Sequence, residues 1–422
     1  MVGRRRMKIP KSFLAIIPLK VIMSVVTTLV VLLIIAIGGG AAEVGIVMSL
    51  LTIGNLLGSL IWAKALSKTR KYITGYIGGY AGMFLALLIL LKGDYPSIYL
   101  SSFLITFLSN LTYLAAMFLI SENYEDRVNE MIGIFEMVGG WAWVAGLGIG
   151  AIAIGLINAP IFITYLSLLS LVAIVLTSIL LGASISKRFI EGIKKDFGLL
   201  PLLDKSLNKI IEYEECVTDI VVKGVHEVFS GSIMQFPIYY ELKLPSKERL
   251  TFYIPIFLQF LSFGLVYSQI IKFLNDIGYT GTIIYLISLL SSMISAMAYP
   301  MVGKVKNMLK MLIAMSVVRV LLFILLISIF YIPPYLVTPI IVIFSLLDGF
   351  SWAYIYVLLN LVALKISREE VGISNFIRSI GYILGAIISG IIISIFSYQI
   401  NFALAMAILS VSIVIYSKVK IS

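Results

Sequence analysis

The chain has one cysteine, Cys216, and one histidine, His226, in 422 residues. A lone cysteine leaves no intramolecular disulfide and no cysteine-based zinc site. With one histidine beside it, neither a Ser-His-Asp nor a Cys-His machinery can be assembled inside the apolar segments. Charge is scarce too: Asp, Glu, Lys and Arg make up 13% of residues, about half the share of a soluble chain. No GxxxxGK[ST] sequence occurs, so no ATP-hydrolysing P-loop is recognisable. None of the long apolar segments alternates with a period of two, which excludes a membrane β-barrel. Cys216 and His226 are assigned no chemistry, and neither a metal nor a cofactor is expected.

What fills the chain instead is apolar sequence, 60% of all residues at a mean hydropathy of +1.07. A run of about 20 apolar residues crosses the hydrocarbon layer as a helix. Twelve such runs are read: 13–37, 44–66, 72–91, 97–120, 130–154, 159–182, 251–274, 281–301, 311–331, 335–360, 370–396 and 400–417. The first is too long, and lacks the small-residue cleavage site, to be a removed signal peptide. Short connections such as GGGAAE, GLINAP and YIPPY force consecutive helices into antiparallel neighbours.

The net charge of +11 reads as topology, with no nucleic-acid partner. Arg4, Arg5, Arg6, Lys8 and Lys11 fall on one side, with Lys64, Lys68, Arg70, Lys71, Arg127, Lys304, Lys306, Lys310, Lys365, Arg368, Lys418 and Lys420. The opposite loops carry only Lys92 and Lys272. Under the positive-inside rule both termini are cytoplasmic, in a multi-pass protein of the cell membrane.

Two stretches repeat in order. Glu125 to Gly150 aligns with Ser367 to Ile391, matching Arg127 with Arg368, Phe135 with Phe376 and Gly140 with Gly381. Upstream at nearly the same offset, Lys64 falls on Lys304 and Arg70 on Lys310. A bundle built twice is a mark of secondary transporters. The expected fold is an all-α membrane protein of twelve transmembrane helices in two pseudo-symmetric six-helix bundles, residues 1–183 and 251–422. Between them, 184–250 reads as a cytoplasmic loop. Within it Ile210, Tyr213, Val217, Val221, Val225 and Val228 recur at helical spacing against Glu214, Glu215, Asp219, Lys223 and Glu227, an amphipathic helix. The segment FPIYYELKLP after it reads as extended.

The chain resembles the major facilitator superfamily. That family's loop between the second and third helices typically reads G-x-L-A-D-R-x-G-R-[RK]. Here Gly58, Leu66, Arg70 and Lys71 fit it, with Ser67 or Lys68 where the family has Asp. The glycine-rich fifth helix of the family has its counterpart in Gly139, Gly140, Gly146, Gly148 and Gly150. The resemblance implies a gating loop at Gly58, Arg70 and Lys71, with Lys304 and Lys310 in the second half. It also places spans 5 and 11 at the seam between the halves, where Gly381, Gly385 and Gly390 repeat the glycines of span 5.

Ionisable residues inside the membrane are costly and are functional candidates by default. Asp348 lies about 13 residues into span 10, roughly 20 Å deep at 1.5 Å per residue, on one face with Ser345, Trp352 and Tyr356. A carboxyl in low dielectric can take and release a proton near neutral pH; a structural pair with Arg319 is the alternative. At the offset set by Gly140 and Gly381, Glu136 falls on Ile377, beside Arg378, so the halves bring an acid and a base to similar depths. Such a pair could hold a zwitterion or close a gate. Lys20 is shallow enough to snorkel, and Arg319 reads as structural. Asn55, Asn110 and Gln259 belong to polar stripes that could line a cavity, and Trp62, Trp143, Trp352, Tyr354 and Tyr356 offer an aromatic lining.

The expected function is secondary transport of a small organic solute by alternating access in a monomer, coupled to protons through Asp348 and Glu136. The alternatives are drug efflux by the same fold and a non-transporting membrane enzyme or scaffold.

Overall fold

The structure, a computed structural model, describes residues 11–124, 128–196, 247–302, 305–366 and 368–419. A 3-10 turn, Lys11–Ile16, leads into α1 (Ile17–Ala36). There follow α2 (Ala41–Thr69), α3 (Tyr72–Leu90), α4 (Tyr95–Asn123), α5 (Val128–Leu156) and α6 (Ala159–Asp196). The second set is α7 (Lys247–Tyr267), α8 (Ile270–Asp276), α9 (Gly281–Val302), α10 (Met308–Ser328), α11 (Pro334–Ile366), α12 (Arg368–Ile395) and α13 (Tyr398–Tyr416). No strand occurs among the described residues. Twelve spans are long and apolar enough to cross a membrane, the seventh made of α7 and α8 together. This is a multi-pass membrane protein. The helices run further than the apolar runs alone: α6 continues to Asp196 and α7 starts at Lys247, both inside the stretch read as a loop. The predicted amphipathic helix, the extended segment, Cys216, His226, Arg127 and Lys304 lie outside the described residues.

Among the described residues two large buried apolar clusters hold the fold, one drawn from Phe13 to Ile174 and one from Phe252 to Tyr416, and a small third of Leu147, Ala151 and Tyr285 joins α5 to α9. The repeat read in the sequence reappears in the packing. Helix α5 packs on α1 as α12 packs on α7, α4 on α2 as α11 on α9, and α6 on α3 as α13 on α10. Glycines make these approaches possible. A methyl at Gly58 would sit 2.6 Å from Phe107 O on α4, and one at Gly381 2.7 Å from Phe257 O on α7. In lipid, where no water is squeezed out between helices, such backbone proximity supplies the contact energy.

Spans 5 and 11 do sit at the seam, but each meets a different partner. Helix α12 packs on α2, and α5 packs on α9. Gly45 of α2 faces Ala386 O and Gly390 of α12, and Gly150 of α5 faces the ring of Tyr285 on α9. The bonds that cross between halves cluster toward the end where α1 turns into α2, here called the hairpin end. Tyr285 Oη donates to Val25 O (2.8 Å), Gln269 Nε2 to Ala41 O (2.9 Å) and Ser49 Oγ to Ile383 O (3.3 Å). The other end, where α1 begins, is the terminal end.

The seventh span breaks between α7 and α8. The Gln269 N–H bonds Val266 O (3.1 Å), three residues back, so Leu265 O loses its helical donor. Ser389 Oγ (2.7 Å) and Asn401 Nδ2 (2.6 Å) donate to it instead. Broken helices persist in membranes only where neighbours satisfy the freed backbone in this way. The break turns the Gln269 side chain toward α2.

Candidate functional site

Three groups of polar side chains lie inside the membrane-spanning part. The first belongs to the N-terminal half. Glu136 of α5 accepts a hydrogen bond from Tyr113 Oη of α4, and Lys20 Nζ of α1 lies 3.8 Å from its carboxylate. Lys20 also stands over the Tyr113 ring, 4.9 Å from its centre. The Glu136 side chain is 43% exposed, so this acid faces open space as well as its partners.

The second group centres on Arg378 of α12, which is only 4% exposed. Its Nη2 donates to Asn360 Oδ1 (2.5 Å) of α11 and its Nε to Ser374 O (3.3 Å). The rings of Tyr356 (5.6 Å) and Phe260 (5.7 Å) flank the guanidinium. Nη1 has no partner, and no carboxylate lies within ion-pair distance of Arg378 among the described residues. Tyr356 is the common member: it touches Arg378 and lies within electrostatic reach of Glu136 across the gap between halves. Tyr299 of α9 is within reach of both Tyr356 and Glu136. Counting from the ends of the apolar spans at 1.5 Å per residue, Glu136 lies about 3 Å, Arg378 about 9 Å and Tyr356 about 10 Å in from the terminal end.

The third group is the pair that the sequence left as the alternative for Asp348. Arg319 of α10, fully buried, donates through Nη1 to Asp348 Oδ1 and through Nη2 to the Asp348 carbonyl (2.9 Å). It also bonds Tyr267 Oη and lies among the rings of Phe263, Tyr267 and Trp352. Ser291 Oγ of α9 donates to Asp348 Oδ2 (2.6 Å). Arg319 therefore points inward from a peripheral helix, which explains why the tenth apolar segment accepts an acid. The Asp348 side chain keeps 16% exposure.

Other candidates are placed elsewhere. Gln259 is fully buried where α7, α10 and α13 meet, its amide donating to Ser316 Oγ (3.0 Å) and accepting from Tyr416 Oη (2.9 Å). Both ends of that amide are used in packing, so Gln259 does not line the cavity. Asn110 is buried and donates to Asn55 Oδ1 (2.8 Å); Asn55 itself is exposed beside it. Trp62 and Tyr354 do not join the lining. Trp62 is buried with Nε1 on Phe107 O (2.9 Å), and Tyr354 is buried with its ring tilted against Phe350. Of the gating-loop residues, Gly58 is inside α2, about 18 Å along the axis from Arg70. Arg70 ends α2 in the left-handed conformation, φ 54°, its N–H on Leu66 O (2.8 Å). Arg70 and Lys71 are exposed. Lys310 follows the Asn307 cap of α10 and borders a shallow crevice of about 540 Å³ with Lys306 and Met311, away from the three inner groups. The signal that sequence reasoning missed is Asn360, one helical turn beyond Tyr356 on α11.

The model of the Major Facilitator Superfamily matches residues 13–377. This chain belongs to that superfamily. Among solved structures, the nucleoside transporter NupG is similar over 98% of this chain and 99% of its own, with a TM-score of 0.70 at 13% identity. The D-xylose-proton symporter is similar over 97% of each chain (TM-score 0.65, 8% identity). The peptide transporter POT in complex with sulfate is similar over 97% of this chain and 92% of its own (TM-score 0.63, 12% identity). At such identities the likeness is one of fold: the superfamily member has the twelve-helix transporter architecture. No curated protein matches it.

Proposed function

We propose that this superfamily member is a proton-coupled secondary carrier for a small organic solute and has no catalytic activity. The observation that carries the reading is a charged polar group in each half, Glu136 with Tyr113 and Lys20 in one and Arg378 with Asn360 and Tyr356 in the other. Residues 1–183 and 251–422 rock about the seam between them, with 184–250 as their tether. With cytoplasmic termini in the cell membrane, closure at the hairpin end makes this the inward-facing state of a monomer. Asp348 is the proton site. When it is protonated, its bonds to Arg319 and Ser291 lose their charge, and the hold of α11 on α9 and α10 weakens. Lys310, Arg70 and Lys71 take the part of the gating loops.

The test uses proteoliposomes with an imposed pH gradient and four probes: a nucleoside, a dipeptide, D-xylose and an aromatic carboxylate. Accumulation of one of them against its gradient is expected, with Asp348→Asn abolishing accumulation while exchange persists in part. Gradient-driven uptake unchanged in Asp348→Asn removes the proton assignment.

A further inference from the structure

We infer that the solute is an organic monoanion carrying a planar ring, its carboxylate taken by Arg378; this rests on the carrier reading above. Charge at the seam is unbalanced. Lys20 and Glu136 are already opposed at 3.8 Å, and Tyr113 holds the second donor position on Glu136. Arg378 has no such counter-charge among the described residues. The seam thus carries one surplus positive charge, and a zwitterion would leave it uncompensated.

An unpaired guanidinium buried within a membrane span is expensive, and its cost is offset by an anion that arrives with the solute. Arg is suited to that task because its guanidinium stays charged when buried and gives charge-assisted hydrogen bonds to a carboxylate. Nη2 is held by Asn360 and Nε by Ser374 O, so the guanidinium is fixed in direction while Nη1 is left over. The Tyr356 ring covers the guanidinium and is itself 42% exposed. A turn about its χ1 uncovers Nη1. Trp352 lies stacked behind Tyr356, 6.1 Å away with 22° between planes, and continues the flat wall on which the ring of the solute rests.

The experiment measures binding of four matched probes to the purified full-length chain in nanodiscs by calorimetry: phenylacetate, 2-phenylethanol, phenethylamine and phenylalanine. Phenylacetate is expected to bind best. Arg378→Gln should weaken it on the order of ten- to a hundredfold, the value of a charge-assisted hydrogen bond, and Arg378→Lys by less. Glu136→Gln raises the surplus charge and should tighten phenylacetate, a gain that no folding defect can mimic. Equal binding of the neutral probe, preference for phenylalanine, no binding of phenylacetate, or weaker phenylacetate in Glu136→Gln each overturns the inference. Thiol labelling of Ala42→Cys in a Cys216→Ser background follows the hairpin end separately. If its accessibility changes under a proton gradient while phenylacetate fails to bind, the anion inference falls and the carrier reading stands. If phenylacetate binds and accessibility never changes, the carrier reading falls instead.

Discussion

Breaking the Arg319–Asp348 pair one partner at a time should cost far more than removing both. Asp348→Asn keeps the shape and the Ser291 contact but leaves Arg319, fully buried, facing only a carbonyl, a phenol and three rings. An uncompensated charge in that position costs about 3 kcal/mol, the lower end of the range for a broken buried pair. Arg319→Met leaves Asp348 with 16% exposure and a Ser291 donor, so the expected loss is smaller, about 2 kcal/mol. The double variant loses neutral hydrogen bonds only, about 1–2 kcal/mol. The coupling energy is therefore about 3–4 kcal/mol. Unfolding of the four proteins by SDS in mixed micelles, followed by tryptophan emission, measures it. Additivity within about 0.5 kcal/mol refutes the reasoning, because independent sites cannot then share a charge.

Trp352→Leu removes part of the flat wall under the solute ring and should weaken phenylacetate binding about two- to tenfold, the value of an aromatic pair, read by calorimetry; unchanged affinity counts against that wall. Gln269→Ala and Tyr285→Phe each delete a bond that closes the hairpin end, worth about 0.5–1.5 kcal/mol, and should raise thiol accessibility at Ala42→Cys roughly two- to tenfold. Gln259→Leu strands the Tyr416 hydroxyl, while Ser316 keeps its bond to Leu312 O (2.9 Å), and should lower stability by about 1–3 kcal/mol without changing solute affinity, which separates a packing residue from a site residue. Outside the membrane, Asp94 caps α4 through the Ser97 N–H (2.9 Å), and the Lys92 ammonium first, then the bonds from Ser97, pull its pKa down to about 2. A depressed carboxylate contributes stability above its unfolded pKa and loses it as pH falls through the folded value. Amide protection at Ser97 should therefore hold from neutral pH down to about 4 and fall toward 2, with Asp94→Ala unprotected throughout.

The spans were legible because each membrane crossing has to be continuous, apolar and helical, whatever its neighbours do. The break between α7 and α8 was not. Tyr267, Ser268 and Gln269 include neither proline nor glycine, and the break is supported by Ser389 and Asn401, more than a hundred residues away. Helical spacing put Asp348, Trp352 and Tyr356 on one face, as found, but a stripe does not say what it faces. Gln259 shows the limit: its polar head suggested a cavity, and only the arrival of Ser316 and Tyr416 from two other helices reveals a packing contact. The unpaired state of Arg378 was illegible for the same reason, since absence of a partner is a property of the whole bundle.

That single face of α11 joins the two charged sites. Asp348 binds Arg319; Trp352, one turn on, lies 5.7 Å from the same guanidinium; Tyr356, a further turn on, stacks on Trp352 and covers Arg378. The two cations are thus linked by two aromatic rings along about 12 Å of one helix. On the proposed mechanism, loss of the Asp348 charge would leave Arg319 to its aromatic neighbours, and Trp352, stacked on Tyr356, would pass that change along the helix. A ring pressed onto Arg378 blocks the carboxylate, and a ring drawn off it admits one. Coupling between proton and solute then requires no long-range rearrangement beyond the two positions of that stack, and both sites bias the same element.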